Sequence, residues 1–181
     1  AGARGLAGEA VAAPTLIANV SDYDASSPPS PVRAQESAIL RNPTSLTARY
    51  KTLSYTDNIA ALRAAMAAGF EEAFFFTAAG NLACASVANV FVQRGEAIFT
   101  SPVSDGALPG VMRKWLLEQG RIGERAICER SISREELNAA DRVFLTNSLR
   151  LFQPVSAFGN KSFEAGLPEG CAGLRSQLIG S

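Results

Sequence analysis

The hydrophobic positions fall into short blocks, most of them strand-sized rather than helix-sized. "PTLIANVS" (Pro14 to Ser21) is a nearly continuous apolar run and predicts a buried strand. "DASSPPSPVR" (Asp24 to Arg33) follows, and its prolines and serines predict a surface loop inside one domain, because apolar-rich sequence flanks it. "SLTARYKTL" reads as extended. Either Thr56 or Asp57 can cap a helix through about Ala68, with Ile59, Leu62 and Met66 on one face and Gly69 as the stop.

"EEAFFFTAAGNLACASVANVFVQRGEAIFT" then predicts three strands joined by the turns "AAGN" and "RGE". "SDGALPG" is a loop, and "VMRKWLLEQG" a helix ending at Gly120. "ERAICERSI" is strand-like, and "SREELNAA" a short helix carrying the capping box Ser133/Glu136. "RVFLTN" and "PVSAFG" complete the strands. Turns rather than helices separate many of these strands. The expected fold class is therefore α+β, mixed, with a barrel-like and mostly antiparallel sheet and flanking helices, not a doubly wound sheet.

Composition narrows the chemistry. Seventeen basic and seventeen acidic residues cancel, and no basic stripe suggests a nucleic-acid partner. No apolar run approaches the roughly 20 residues that span a bilayer, so no membrane is implied. The three cysteines, Cys84, Cys128 and Cys171, are odd in number and far apart, which fits reduced thiols in the cytoplasm better than a disulfide framework. The chain has no histidine, which removes Ser-His-Asp and Cys-His catalysis and histidine-based metal sites. Acid–base work then falls to Lys, Asp, Glu, Tyr, Cys or a cofactor.

Lysine is scarce as well. Only Lys51, Lys114 and Lys161 stand against fourteen arginines, and Lys51 lies between Tyr50 and Tyr55 in "ARYKTLSYTDN". A lysine among aromatic and apolar residues on an extended segment would be partly desolvated, which frees its amine as a nucleophile; taken alone, the stretch better suits a surface lysine covering apolar area. Three further stretches carry chemistry. "SDGALPGVMRKW" feeds a Gly loop into a helix whose first N–H groups, near Val111 and Met112, can hold a phosphate. "FLTNSLRLFQPV" ends a strand in Thr146, Asn147 and Ser148, fit for a phosphate or a carboxylate, or for an ordinary turn. "GNLACASVANVFV" is a turn and two runs of small residues, against which a flat ring can lie.

In this order the four stretches resemble the class IV pyridoxal-phosphate (PLP) aminotransferases, the branched-chain, D-amino-acid aminotransferase and 4-amino-4-deoxychorismate lyase fold type. "YKTLSYTDN" is similar to the family's lysine segment, "NVFV" to its strand, "LPGVMR" to its phosphate loop and "FLTNSLRLFQPV" to its late strand and turn. The resemblance runs from about Arg4-Gly5 to Val155. It implies that Lys51 forms the Schiff base with PLP and shuttles the substrate proton, and that Tyr55 donates to the cofactor's phenolic oxygen. Gly110, Val111, Met112 and Ser148 would hold the phosphate, and Asn147, Ser148 and Leu149 would line the substrate side. It also implies a homodimer acting on an amino acid and a 2-oxo acid.

Two departures from the family pattern stand out. The family's glutamate, five residues before the strand asparagine, corresponds here to Cys84, so a weak thiol donor faces the pyridine nitrogen in its place. The resemblance implies that residues 1–181 are a single domain corresponding to the family's large C-terminal domain, with the small N-terminal domain expected to be absent from this chain; the start lacks a Met, as expected of a fragment or a processed product. The expected function is an amino-acid aminotransferase, branched-chain by preference, working through Lys51. The alternatives are a 4-amino-4-deoxychorismate lyase releasing pyruvate and p-aminobenzoate, and a catalytically impaired PLP-binding domain.

Overall fold

The computed structural model describes residues 15–24, 27 and 29–180. One curled sheet organises the chain. Its strands are β1 (Val32–Glu36), β2 (Glu72–Phe76), β3 (Leu82–Ala85), β4 (Asn89–Arg94), β5 (Ala97–Thr100), β6 (Arg121–Ile122), β7 (Arg125–Glu129), β8 (Arg142–Asn147), β9 (Leu151–Phe158) and β10 (Lys161–Ser162). The helices are α1 (Leu46–Arg49), α2 (Thr56–Ala67), α3 (Val111–Gln119), α4 (Arg134–Asn138) and α5 (Cys171–Ile179). The strand order is β3-β2-β1-β9-β8-β4-β5-β7-β6, with β10 added beside β9. Three pairings are parallel, β1 with β2, β1 with β9 and β5 with β7; the others are antiparallel. Four strands separate β3 from β4 in the sheet, yet only Ser86, Val87 and Ala88 connect them in the chain. So short a link closes only if the sheet curls back on itself, which gives the half-barrel of an α+β fold.

Aromatic packing fills the curl. Phe91 and Phe144 stack with ring centroids 5.2 Å apart, on neighbouring strands β4 and β8. Phe74 and Phe158 stack at 5.4 Å on the other side of the sheet's centre. Phe74, Phe91 and Phe144 are fully buried.

Several expectations need correction. The Pro14–Ser21 run is not a buried strand: Pro14 lies outside the described residues, and residues 15–20 form no element, with Leu16, Ile17 and Val20 at 90%, 87% and 95% exposure. The ladder position between β2 and β9 is taken by the more polar Val32–Glu36, in which only Ala34 is buried. "SLTARYKTL" is not extended throughout, because the Ser45 hydroxyl accepts from the Thr47 N–H and starts the turn of α1. Neither Thr56 nor Asp57 caps α2; Tyr55 occupies the N-cap position without a side-chain bond. That helix also packs on a different face. Ala61 and Ala65 are buried against Ala73 and Phe75, while Ile59 and Met66 point outward. Two small residues let the helix sit close on the bulky ring of Phe75, and this outweighs the larger apolar stripe.

The 71–100 run contains four strands, since Ser86–Ala88 breaks a stretch that reads as continuous in the sequence. Strands β6 and β10 and helix α5 add to the elements that the pattern predicts. The Gly120 stop, at φ 71°, and the reciprocal Ser133/Glu136 capping box are as expected.

The Phe91–Phe144 stack predicts that Phe144→Ala lowers unfolding free energy by about 3–5 kcal/mol, the range for truncating a buried phenylalanine. Urea denaturation checks this; a loss under ~1 kcal/mol would show that the stack does not hold the sheet together.

Candidate active site

A cavity of about 510 Å³ opens where the Thr47–Asn58 stretch, the β3–β4 link, the loop into α3 and the end of β8 meet. Every residue to which the family resemblance gives a role lines it: Lys51, Tyr55, Cys84, Gly110, Val111, Met112, Asn147, Ser148 and Leu149. They come from segments up to 98 residues apart in the chain (51 to 149), so the folding of the sheet alone brings them together.

The lysine side is built by α1 and α2. Ala48 is buried and anchors the short helix, and the Tyr50 N–H closes it on the Leu46 carbonyl at 3.0 Å. Lys51 follows, outside any regular element. Its Nζ donates to the Tyr55 hydroxyl at 2.9 Å and sits 4.8 Å from that ring's centroid. Tyr55 is fixed because α2 begins at the next residue. The amine is thus oriented by a phenol rather than buried: Lys51 is exposed, contrary to the partial desolvation expected from its aromatic neighbours.

Opposite lies the start of α3. Helix geometry leaves the first N–H groups without intrahelical partners, and Val111 and Met112, which carry two of them, line the cavity. Asn89 holds the loop in front of them. Its Nδ2 donates to the Leu108 carbonyl at 2.8 Å, and a Cβ on Gly110 would come within 2.3 Å of its Oδ1. Only glycine lets the asparagine and the loop approach so closely. Arg113 ties the first turn of α3 to the sheet. It is buried, donates from Nη2 to the Ser101 carbonyl at 2.9 Å and pairs with Glu129.

The sheet supplies the floor. Glu72 is buried, and one of its carboxyl oxygens accepts from the Ala73 N–H at 2.8 Å, the Ser86 N–H at 3.0 Å and the Ser86 hydroxyl. It thereby pins the β3–β4 link. Cys84 lies on β3 and is buried; burial pushes its thiol up to about 11, Arg41 acts against that rise and Glu72 adds to it. The thiol is therefore neutral at ordinary pH, a weak hydrogen-bond donor where the family pattern has a carboxylate.

At the end of β8, Asn147 is occupied with backbone. Its Nδ2 donates to the Val87 carbonyl at 3.2 Å, and its Oδ1 accepts from the N–H groups of Leu149 at 3.1 Å and Arg150 at 2.8 Å. It shapes the turn that presents Ser148 and Leu149 to the cavity. The neighbouring Thr146 hydroxyl is buried without a hydrogen-bond partner among the described residues, and Thr146 also lines the cavity.

Sequence reasoning missed Arg41, Arg49 and Asn58 as cavity residues. Arg41 donates to the carbonyls of Gly106 at 3.2 Å and Thr47 at 3.3 Å. Asn58 donates to the Ser86 carbonyl at 2.6 Å. Two arginines close to a candidate lysine were the available signal. Nothing local marked Asn58, whose partner lies 28 residues away. Among the lining residues Arg41, Arg49 and Lys51 are cationic and none is Asp or Glu, so the cavity favours an anionic occupant.

The chain belongs to the class IV amino-transferase family, whose model matches residues 1–158. It is 33% identical over 141 residues to a protein of Aquifex aeolicus (strain VF5) named as a probable branched-chain-amino-acid aminotransferase, covering 75% of this chain and 44% of that one. It is 29% identical over 171 residues to the aminodeoxychorismate lyase of Bacillus subtilis (strain 168), covering 90% of this chain and 57% of that one. Among solved structures, the branched-chain aminotransferase of Thermoproteus uzoniensis superposes with a TM-score of 0.77 at 28% identity, over 83% of this chain and 52% of that one. The chain thus spans about half the length of the curated relatives it matches. Among the described residues, no helix is long and apolar enough to cross a membrane.

The thiols provide a direct check on the site's description. Cys128 is exposed, whereas Cys84 and Cys171 are buried with thiols pushed up to about 11 and about 12 by burial. A thiol-reactive chromogenic disulfide at pH 8 should titrate one cysteine promptly and the other two only after denaturation. Prompt reaction of Cys84, located by peptide mapping, would contradict the buried neutral thiol.

Proposed function

We propose that this chain is the PLP-binding part of a class IV aminotransferase. It would move an amino group between an amino acid, branched-chain by preference, and a 2-oxo acid, with Lys51 as the reacting amine. The observation that carries the reading is the convergence on one cavity of Lys51 with its Tyr55 partner and the open N-terminus of α3. The residues fit the cofactor at both ends. The free N–H groups at Val111 and Met112, the glycine at 110 and the cationic lining suit a phosphate, and Ser148 lies at the same cavity wall.

When bound, PLP supplies an electron-accepting ring that weakens the bond between the substrate's Cα and its proton. The chain's residues do the rest. Lys51 is the attachment point and, once freed, the base that takes the Cα proton and returns it. Tyr55 holds the Nζ by their 2.9 Å contact and would be the phenol that donates to the cofactor's phenolic oxygen. Asn89 keeps the Leu108–Gly110 loop in place so that the phosphate contacts stay aligned. Cys84, as a neutral thiol, would give the cofactor's ring nitrogen little electrostatic support.

That last point is compatible with a second reading, 4-amino-4-deoxychorismate lyase, in which elimination releases pyruvate and an aromatic amine. The lyase of Bacillus subtilis aligns with 90% of this chain, more than the Aquifex aeolicus protein does. By family analogy we further propose that the protein is cytoplasmic and works as a homodimer.

Wild-type protein incubated with PLP should develop a visible absorbance band, distinct from that of free PLP, that Lys51→Ala lacks. A persistent band in the variant, or none in the wild type, overturns the reading. Amino-acid-dependent loss of the band supports transamination; pyruvate formed from aminodeoxychorismate without an acceptor supports the lyase.

Cys84→Glu should raise the single-turnover rate with an amino acid by roughly tenfold, the equivalent of about 1.4 kcal/mol in barrier. A rate within twofold of wild type would show that the 84 side chain does not tune the ring.

A further inference from the structure

We propose that the Thr146 hydroxyl is a further ligand of the phosphate group at the start of α3, and that it makes the site favour the phosphorylated cofactor over pyridoxal. The inference deepens the reading of the cavity as a PLP site and rests on it.

Six buried side-chain atoms lack a hydrogen-bond partner among the described residues, and only the Thr146 hydroxyl belongs to a residue that lines the cavity. Thr146 is 1% exposed. Other buried hydroxyls are engaged: Ser86 donates to Glu72, and Thr100 donates to the Val90 carbonyl. A hydroxyl buried without a partner has given up its bonds to water for nothing in return. A valine would fill the same place in a strand without that cost. A threonine here therefore suits a site whose missing partner arrives with the ligand.

The sheet register places that ligand. Thr146 on β8 is directly opposite Asn89 on β4, and residues opposed across an antiparallel pair point to the same face. On that face the Asn89 side chain donates to the Leu108 carbonyl and lies against Gly110, the N-cap of α3. Two residues before Thr146, and so on the same face, Phe144 packs in one cluster with Met112 and Leu116 of α3. Thr146 is the next position along β8, on the side of the sheet that carries the beginning of α3.

The chemistry there suits an oxyanion. The first N–H groups of the nine-residue α3 have no intrahelical acceptor. Cations line the cavity and carboxylates do not. A hydroxyl has one proton to donate, and a β-branched side chain in a strand has few rotamers to lose. Ser148, to which the family pattern gives a phosphate contact, is exposed in a turn. The buried Thr146 is drier and stiffer, so its bond to a charged oxygen counts for more. Pyridoxal carries an alcohol where PLP carries the phosphate, and it would offer Thr146 no charged acceptor.

The test compares wild type, Thr146→Val and Thr146→Ser. Binding of PLP, pyridoxal and inorganic phosphate is measured by titration calorimetry, and urea unfolding is recorded without ligand. Thr146→Val should weaken PLP and inorganic phosphate by roughly tenfold, about the contribution of one hydrogen bond to a charged group, and leave pyridoxal within about twofold. Thr146→Ser should recover most of the loss. The unfolding midpoint of Thr146→Val should equal or exceed that of wild type, because the hydroxyl has no protein partner to lose. Unchanged phosphate affinity, an equal loss for pyridoxal, or a clearly lower midpoint would overturn the proposal. The Lys51-dependent absorbance separates this from the cofactor reading. A Lys51-dependent band with unchanged phosphate affinity in Thr146→Val sinks the Thr146 contact alone. No such band, with phosphate binding that still depends on Thr146, keeps the anion contact and sinks the PLP reading.

Discussion

The site hangs on three residues, Ser86 to Ala88, which join two strands with four others between them in the sheet. Because the link is so short, the sheet must curl, and the curl makes the cavity. The link is also where the other segments attach. Glu72 grips Ser86 from below, Asn58 of the lysine-side helix donates to the Ser86 carbonyl, and Asn147 of β8 donates to the Val87 carbonyl. Just beyond it, Asn89 clamps the phosphate-side loop at Leu108. Two asparagines thus bind backbone carbonyls of one turn, a third, just beyond it, reaches out to the Leu108 carbonyl, and each ties a different wall of the cavity to the turn. An amide suits this role because it donates strongly, carries no charge and adds none to a cavity that already favours anions.

The electrostatics follow from that construction. The cavity's cations come from the Arg41–Lys51 stretch and its free N–H groups from α3, while the buried Glu72 turns its carboxyl oxygen to the Ser86 backbone and hydroxyl. The Cys84 thiol, held neutral by burial, adds no negative charge of its own to the floor. An anionic occupant is then favoured near the start of α3 and the Arg41–Lys51 stretch, while the side chain at position 84 offers only a weak donor. These features bear separately on what binds and on how far the reaction proceeds.

Much of this was legible in the sequence, for physical reasons. The helix starting at Val111 and stopping at Gly120, the Ser133/Glu136 box and the β8 strand rest on local signals that the fold did not override. The residues from Lys51 to Leu149 that share the cavity were legible because their order along the chain matches a family pattern. Failures came where distant partners decided the outcome. Val32–Glu36 is polar yet becomes an inner strand because β2 and β9 pair with both its edges, while the more apolar 15–20 run forms no element. Helix α2 turned its alanines inward because Phe75 needed room. Asn58 and Arg41 gain their partners only from what the curl places beside them.

Reductive trapping tests the central claim most directly. Protein incubated with PLP, reduced with borohydride and digested should carry the phosphopyridoxyl group on the peptide containing Lys51. The chain has only two other lysines, Lys114 and Lys161, so the assignment is unambiguous. Label confined to Lys51 is the predicted result; label spread evenly over the three lysines, or found on Lys114 or Lys161 instead, would contradict the account.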